Sequence, residues 1–139
     1  GGEALSEEGL REALAGDPSV RLTVFRHDGT PENLRAHLDA LMARATPPGA
    51  ILVARAAHVL TVLTHLQRKG LRIPQDVAIV SRDDESYLAH LSPAIARYQV
   101  DPALFPRRLS LAARQLAETG SFPPHAVRLI PRYLPGESV

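Results

Sequence analysis

AILVARAAHVLTVLTHLQRKGLRIPQDVAIV, residues 50–80, sets two short apolar runs on either side of one amphipathic segment. Residues 50–54 (AILVA) and 77–80 (VAIV) carry no polar side chain, the pattern of strands buried on both faces. Between them, residues 58–69 place Val59, Val62, Leu63 and Leu66 on one face of a helix that Gly70 ends. Residues 71–76 (LRIPQD) connect that helix to the second run. Buried strand, helix, buried strand is the parallel crossover unit, so both runs are expected as central strands of a parallel sheet.

The alternation continues on both sides. Upstream, residues 5–15 read as a helix rich in Ala, Leu and Glu, closed by Gly16-Asp17-Pro18. Residues 20–25 (VRLTVF) alternate apolar with polar and read as a strand. After the turn His27-Asp28-Gly29, Thr30 caps a helix with Pro31 at its first position. That helix carries Leu34, Leu38, Leu41, Met42 and Ala45 on one face and stops at residues 46–49 (TPPG). Downstream, residues 95–100 read as a strand of mixed character. A helix follows over 102–118, kinked or begun at Pro106 and ended by Thr119-Gly120. Residues 126–134 return as a strand that Pro131 interrupts, which suits a sheet edge. The expected fold is α/β: one domain over 1–139, three layers α/β/α, with a mostly parallel sheet.

Composition narrows the function. Aromatic residues are 4% of the chain and Trp is absent, so Leu, Val, Ile and Ala must build the core. A net charge of +1 gives no electrostatic reason to expect nucleic-acid or membrane binding by this piece. With no cysteine, disulfides and Cys-based metal sites are excluded. No signal peptide and no apolar run of membrane-spanning length is visible, and a cytoplasmic location fits.

Chemistry-bearing motifs are sparse. Asp83-Asp84-Glu85 are adjacent carboxylates on a loop, a pattern more often solvated or capping the next helix than catalytic. His58 and His65 lack metal-ligand spacing. Ser81 has no Gly-x-Ser-x-Gly setting, and there is no glycine-rich phosphate loop. No catalytic residue, metal or cofactor is expected.

Several segments taken together resemble one family. Residues 70–80, GLRIPQDVAIV, are similar to the G-L-x-[IV]-P-x-D-[VI]-[SA]-[VI]-[VI] of the LacI/GalR regulators. Ser81-Arg82-Asp83-Asp84 stands where that family has Gly-aromatic-Asp-Asp, and Leu91-Ser92-Pro93-Ala94-Ile95 resembles its L-x-P-P-L. Residues 9–14 (GLREAL) look like its G-[FW]-x-x-A-L helix. The resemblance implies the carboxy-terminal part of a periplasmic-binding-protein-like (type I) effector core, with the family's DNA-binding headpiece outside this chain.

Carried over position by position, three family effector contacts fall in this region, at Asp83, Arg55 and Ser6, and Arg82 beside Asp83 is a fourth ligand-binding candidate. Asp83 is retained and can accept sugar hydroxyls. Arg82 replaces the aromatic residue, Arg55 stands in the family's Asn-Asp after the first apolar strand, and Ser6 stands where the family has Arg. A guanidinium at 55 favours an anionic ligand, or a pairing with Asp83 or Asp84. Arg55 and Asp83 both follow buried strands and are expected in one polar cleft. The implied function is a ligand-sensing and dimerising module of a transcriptional regulator, with a small sugar-like or anionic effector as partner. DNA would be reached only through the headpiece. A solute-binding protein of a sugar transporter is the alternative with the same fold. An α/β enzyme finds no acid/base or nucleophile constellation.

The helix over 102–118 carries Phe105, Leu109, Ala112 and Leu116 along one stripe. Water is a costly environment for that stripe. It is expected to be covered by a second chain in a homodimer or by the chain's own sheet.

Overall fold

The computed structural model describes residues 2–121 and 129–139. The chain divides into two compact units, Gly1–Pro47 and Pro48–Val139. The first holds α1 (Gly2–Leu14) and α2 (Pro31–Met42). In α2 the cap forms as the sequence directs: Thr30 is extended and its Oγ1 accepts from the Asn33 amide at 3.3 Å. Pro31, which has no amide to leave unpaired, takes the first turn. Leu34, Leu38 and Leu41 are buried, three of the five residues on the predicted face.

The strand expected at 20–25 does not form; these residues carry no ladder. A strand exists through its neighbour's hydrogen bonds, and no other strand is described in this unit to supply them. Alternation records a preference for a half-buried surface and cannot create the partner.

The second unit contains the sheet: β1 (Ala50–Val53), β2 (Ala78–Ser81), β3 (Ala96–Gln99) and β4 (Arg132–Leu134), in that spatial order. β1, β2 and β3 are parallel, with Val53 opposite Ser81 and Ser81 opposite Arg97. β4 is antiparallel to β3 and lies at an edge, directly after Pro131, as expected; residues 126–128 of that expected strand lie outside the described residues. The sheet is mixed and mostly parallel. One expectation is corrected: β2 is interior, but β1 is the other edge strand, and its Leu52 is 43% exposed. An apolar run without alternation cannot distinguish an interior strand from an edge strand when the next strand fails to pair.

α3 (Ala56–Arg68) packs on β1 and β2 and buries Ala56, Val59, Val62, Leu63 and Leu66. Val59 and Leu66 are fully inaccessible, along with Val77 and Ile79. Burial of such side chains contributes roughly 1.5–3 kcal/mol each, so this βαβ layer supplies much of the unit's core, completed by the equally inaccessible Leu88 and Ile95.

In the connector, Asp76 accepts from the Arg72 guanidinium at 2.8 and 3.0 Å and from the Arg72 amide at 2.7 Å. The side-chain bonds to Arg72, followed by its amide, lower the Asp76 carboxyl from 3.8 to about 2. Because the folded value lies below the unfolded one, the pairing contributes above roughly pH 4 and is lost as pH falls toward 2. Titration of the side-chain carboxyl by NMR should place its midpoint near the lower value; a midpoint near 3.8 would contradict the pairing.

α4 (Leu104–Thr119) takes Pro106 in its first turn, where no helical amide bond is lost. Gly120 ends it in the left-handed conformation, φ 70°, donating to the Leu116 carbonyl at 2.8 Å. No residue of α4 is buried: Phe105 is 61% exposed and Leu109 58%. The apolar stripe is therefore not folded against this chain's own sheet.

The last residues carry a feature to which the sequence reading assigned no role. Ser138 is fully buried between β2 and β3. Its Oγ donates to the Ile79 carbonyl at 2.6 Å and accepts from the Ala96 amide at 2.9 Å. Its carbonyl accepts from the Ile79 amide at 2.9 Å, and the Glu137 and Ser138 amides donate to the Ala94 carbonyl. The tail thus extends the β2–β3 seam past the point where those strands pair directly.

Candidate functional site

Parallel strands release the chain at their carboxyl ends on one side of a sheet, the usual ligand location in open α/β folds. Here β1 and β2 run on in step, since the Arg82 amide donates to the Val53 carbonyl at 2.9 Å. Arg55 and Asp83 each follow their strand by two residues and so emerge at the same edge. Arg55 is extended, φ −126° and ψ 128°, and is the cap position of α3, where its carbonyl accepts from the His58 amide. Its side chain is exposed.

The loop after β2 is shaped by its own side chains. Ser81 is fully buried and its Oγ donates to the Asp83 carbonyl at 2.7 Å, turning the chain sharply. Arg82 Nε donates to Asp83 Oδ1 at 3.3 Å, a half-exposed pair with the Asp83 side chain 46% accessible. Such a pair is worth little in water and can be exchanged for other partners.

Asp84 behaves differently from the solvated or capping carboxylate expected from the sequence. Its Oδ1 accepts from Arg97 Nε at 2.5 Å and its Oδ2 from Gln99 Nε2 at 2.6 Å. The short 3-10 turn that follows, Ser86–His90, has no side-chain cap bond. The reason is register: Arg97 lies opposite Ser81, so its long side chain reaches the loop that leaves β2. From that turn, the Tyr87 hydroxyl donates to the Ala56 carbonyl at the start of α3. Burial, then the nearby Glu85, pushes the Tyr87 phenol up from its ordinary value.

The structure thus brings Arg55, Arg82 and Asp83 to one sheet edge. Ser6 lies exposed on α1 in the other unit. Arg97, Gln99 and Tyr87 were missed by the sequence reading. The signal available was a pair of long polar side chains two apart in a short strand, which places both on one face. Among the described residues no group of three or more His, Cys, Asp or Glu is arranged to hold a metal ion. Nor is any helix among them long and apolar enough to cross a membrane.

A profile of the periplasmic binding protein-like domain matches residues 2–139. The HTH-type transcriptional regulator CelR of Thermobifida fusca is 30% identical over 105 residues, covering 74% of this chain and 31% of that protein. A LacI family transcriptional regulator from Bifidobacterium animalis subsp. lactis superposes with a TM-score of 0.84 at 18% identity, over 99% of this chain and 50% of that one. A CelR–cellobiose complex superposes with a TM-score of 0.78 at 26% identity, over 94% and 41%. The chain therefore spans half or less of the length of each.

Proposed function

Because this chain belongs to the periplasmic binding protein-like domains, in the form carried by LacI-type regulators, we propose that it is the carboxy-terminal part of an effector-binding core. In this reading residues 1–139 form a single effector-core fragment that senses a small molecule and supports dimerisation of a cytoplasmic regulator. Its headpiece alone contacts DNA. The relatives are regulators, and no enzymatic step is assigned.

The carrying observation is the half-exposed Arg82–Asp83 pair at the edge where Arg55 also emerges. A carboxylate accepts hydroxyl protons, and guanidinium groups bind carboxylate or phosphate in a fork. Arg55, Arg82 and Asp83 would hold a polyol that carries an acid group. Effector binding would then bias closure of the core and pass to the headpiece as a coupling free energy.

Calorimetric titration with gluconate, inorganic phosphate and cellobiose tests this. Gluconate should bind at least about tenfold more tightly than cellobiose, one charge-assisted contact's worth. Tighter binding of the uncharged disaccharide would overturn the anionic reading and return the site to neutral sugars, as the CelR–cellobiose complex suggests for its own protein.

The exposed stripe Phe105, Leu109 and Leu116 of α4 is proposed as the contact between two copies. Light scattering at tens of micromolar should give a dimer mass, and Leu109→Glu should give a monomer. A monomeric unaltered chain at that concentration would remove the proposal.

A further inference from the structure

We infer that Asp84 and Tyr87 are positioning residues that anchor the loop between β2 and the 3-10 turn, with Arg97 holding Asp84 in that role. The inference rests on the effector site proposed above.

The two acidic neighbours have unequal surroundings. Each oxygen of Asp84 already accepts a short bond, 2.5 Å from Arg97 and 2.6 Å from Gln99. The Arg97–Asp84 pair is sheltered, with side chains 14% and 20% accessible. Arg97 is itself held by a second bond, from Nη1 to the Ile95 carbonyl at 3.2 Å. Short charge-assisted bonds away from solvent are strong and directional. Asp83 has a longer contact at 3.3 Å, in a pair more open to water. A ligand can displace the second arrangement far more easily than the first.

The anchors also stand on opposite flanks. Asp84 ties the loop to β3 through two residues on one face of that strand. Tyr87 ties its far end to the Ala56 carbonyl, next to Arg55. Arg82 and Asp83 lie just before the first anchor, with the Arg82 amide on Val53 and the Asp83 carbonyl on Ser81. The backbone that carries the ligand-facing pair is therefore bonded to all three neighbouring elements. Binding groups held in this way lose less freedom when a ligand arrives.

The test uses the full chain with Arg97→Met, Arg97→Lys and Tyr87→Phe, read by amide hydrogen exchange and by titration with gluconate, phosphate and cellobiose. Arg97→Met and Tyr87→Phe should each weaken the tightest of these probes about tenfold, the loss of one polar contact. They should also speed exchange across residues 82–87 while the Ile79 amide stays protected. Arg97→Lys should recover affinity to within about threefold. Unchanged affinity and unchanged loop exchange in both variants would overturn this inference and leave the effector site standing. Faster exchange throughout β2, with no excess in the loop, would show a merely structural role and overturn it as well. If the unaltered chain bound none of the three probes, the effector reading and this inference would fail together.

Discussion

Gly136→Ala is expected to be the most damaging single methyl addition in the second unit. A Cβ built on Gly136 would meet the Ala96 amide nitrogen at 2.4 Å, the Ala94 carbonyl oxygen at 2.6 Å and the Ile95 carbonyl carbon at 2.6 Å. All three are backbone atoms of β3 or its approach, so no side chain can swing aside. Relief requires the tail to lift away from β3, and with it Glu137 and Ser138, whose amides both reach Ala94. Overpacking against backbone costs on the order of 3 kcal/mol, a large part of the total stability of a domain this size. Urea unfolding followed by circular dichroism should show a midpoint far below that of the unaltered chain, or no folded baseline. A midpoint within experimental error of the original would mean that the tail does not sit where it is described.

Ser138→Ala is the second large effect, and its cause is chemical where the first is steric. The hydroxyl serves two buried backbone groups at once, accepting from Ala96 and donating to Ile79. Its removal leaves an amide and a carbonyl short of a partner in a place that water does not reach. Each group left so costs about 1–3 kcal/mol, giving about 2–6 kcal/mol in all if the tail stays put. Val139→Ala, one residue on and half exposed, should change stability by no more than about 0.5 kcal/mol. The contrast between these neighbours is the check, because a general loss of tail order would bring the two values together.

What the sequence made legible follows from how local each signal is. The helical face of Val59, Val62, Leu63 and Leu66, the Thr30–Pro31 cap and the Gly120 stop are properties of a few consecutive residues, and the structure contains them all. β2 as an interior strand and the edge position of the strand after Pro131 were readable for the same reason. The misses are all non-local. Among the described residues, 20–25 have strand chemistry and no strand to pair with, and β1 lies at the edge of the sheet. Asp84 could be separated from Asp83 only by knowing that Arg97 sits opposite Ser81. Gly136 and Ser138 look like an unremarkable tail until β3 is placed beside them. The strand-end positions of Arg55 and Asp83 came through because the spacing of residue and strand is itself local.

The seam closed by Ser138 also bears on the order in which the molecule assembles. Its bond to Ile79 spans 59 residues, and its bond from Ala96 spans 42. Closing loops of that length is entropically unfavourable until the strands they join already exist. The β1–α3–β2 crossover, built from closer residues, is the natural nucleus, and the tail should lock in after the transition state. Ser138→Ala should then leave the refolding rate nearly unchanged and appear almost wholly as faster unfolding. Stopped-flow measurements on both limbs would reveal this, and slowed refolding would place the tail in the nucleus. On this account the tail governs how long the native state persists, while the crossover governs how quickly it is reached.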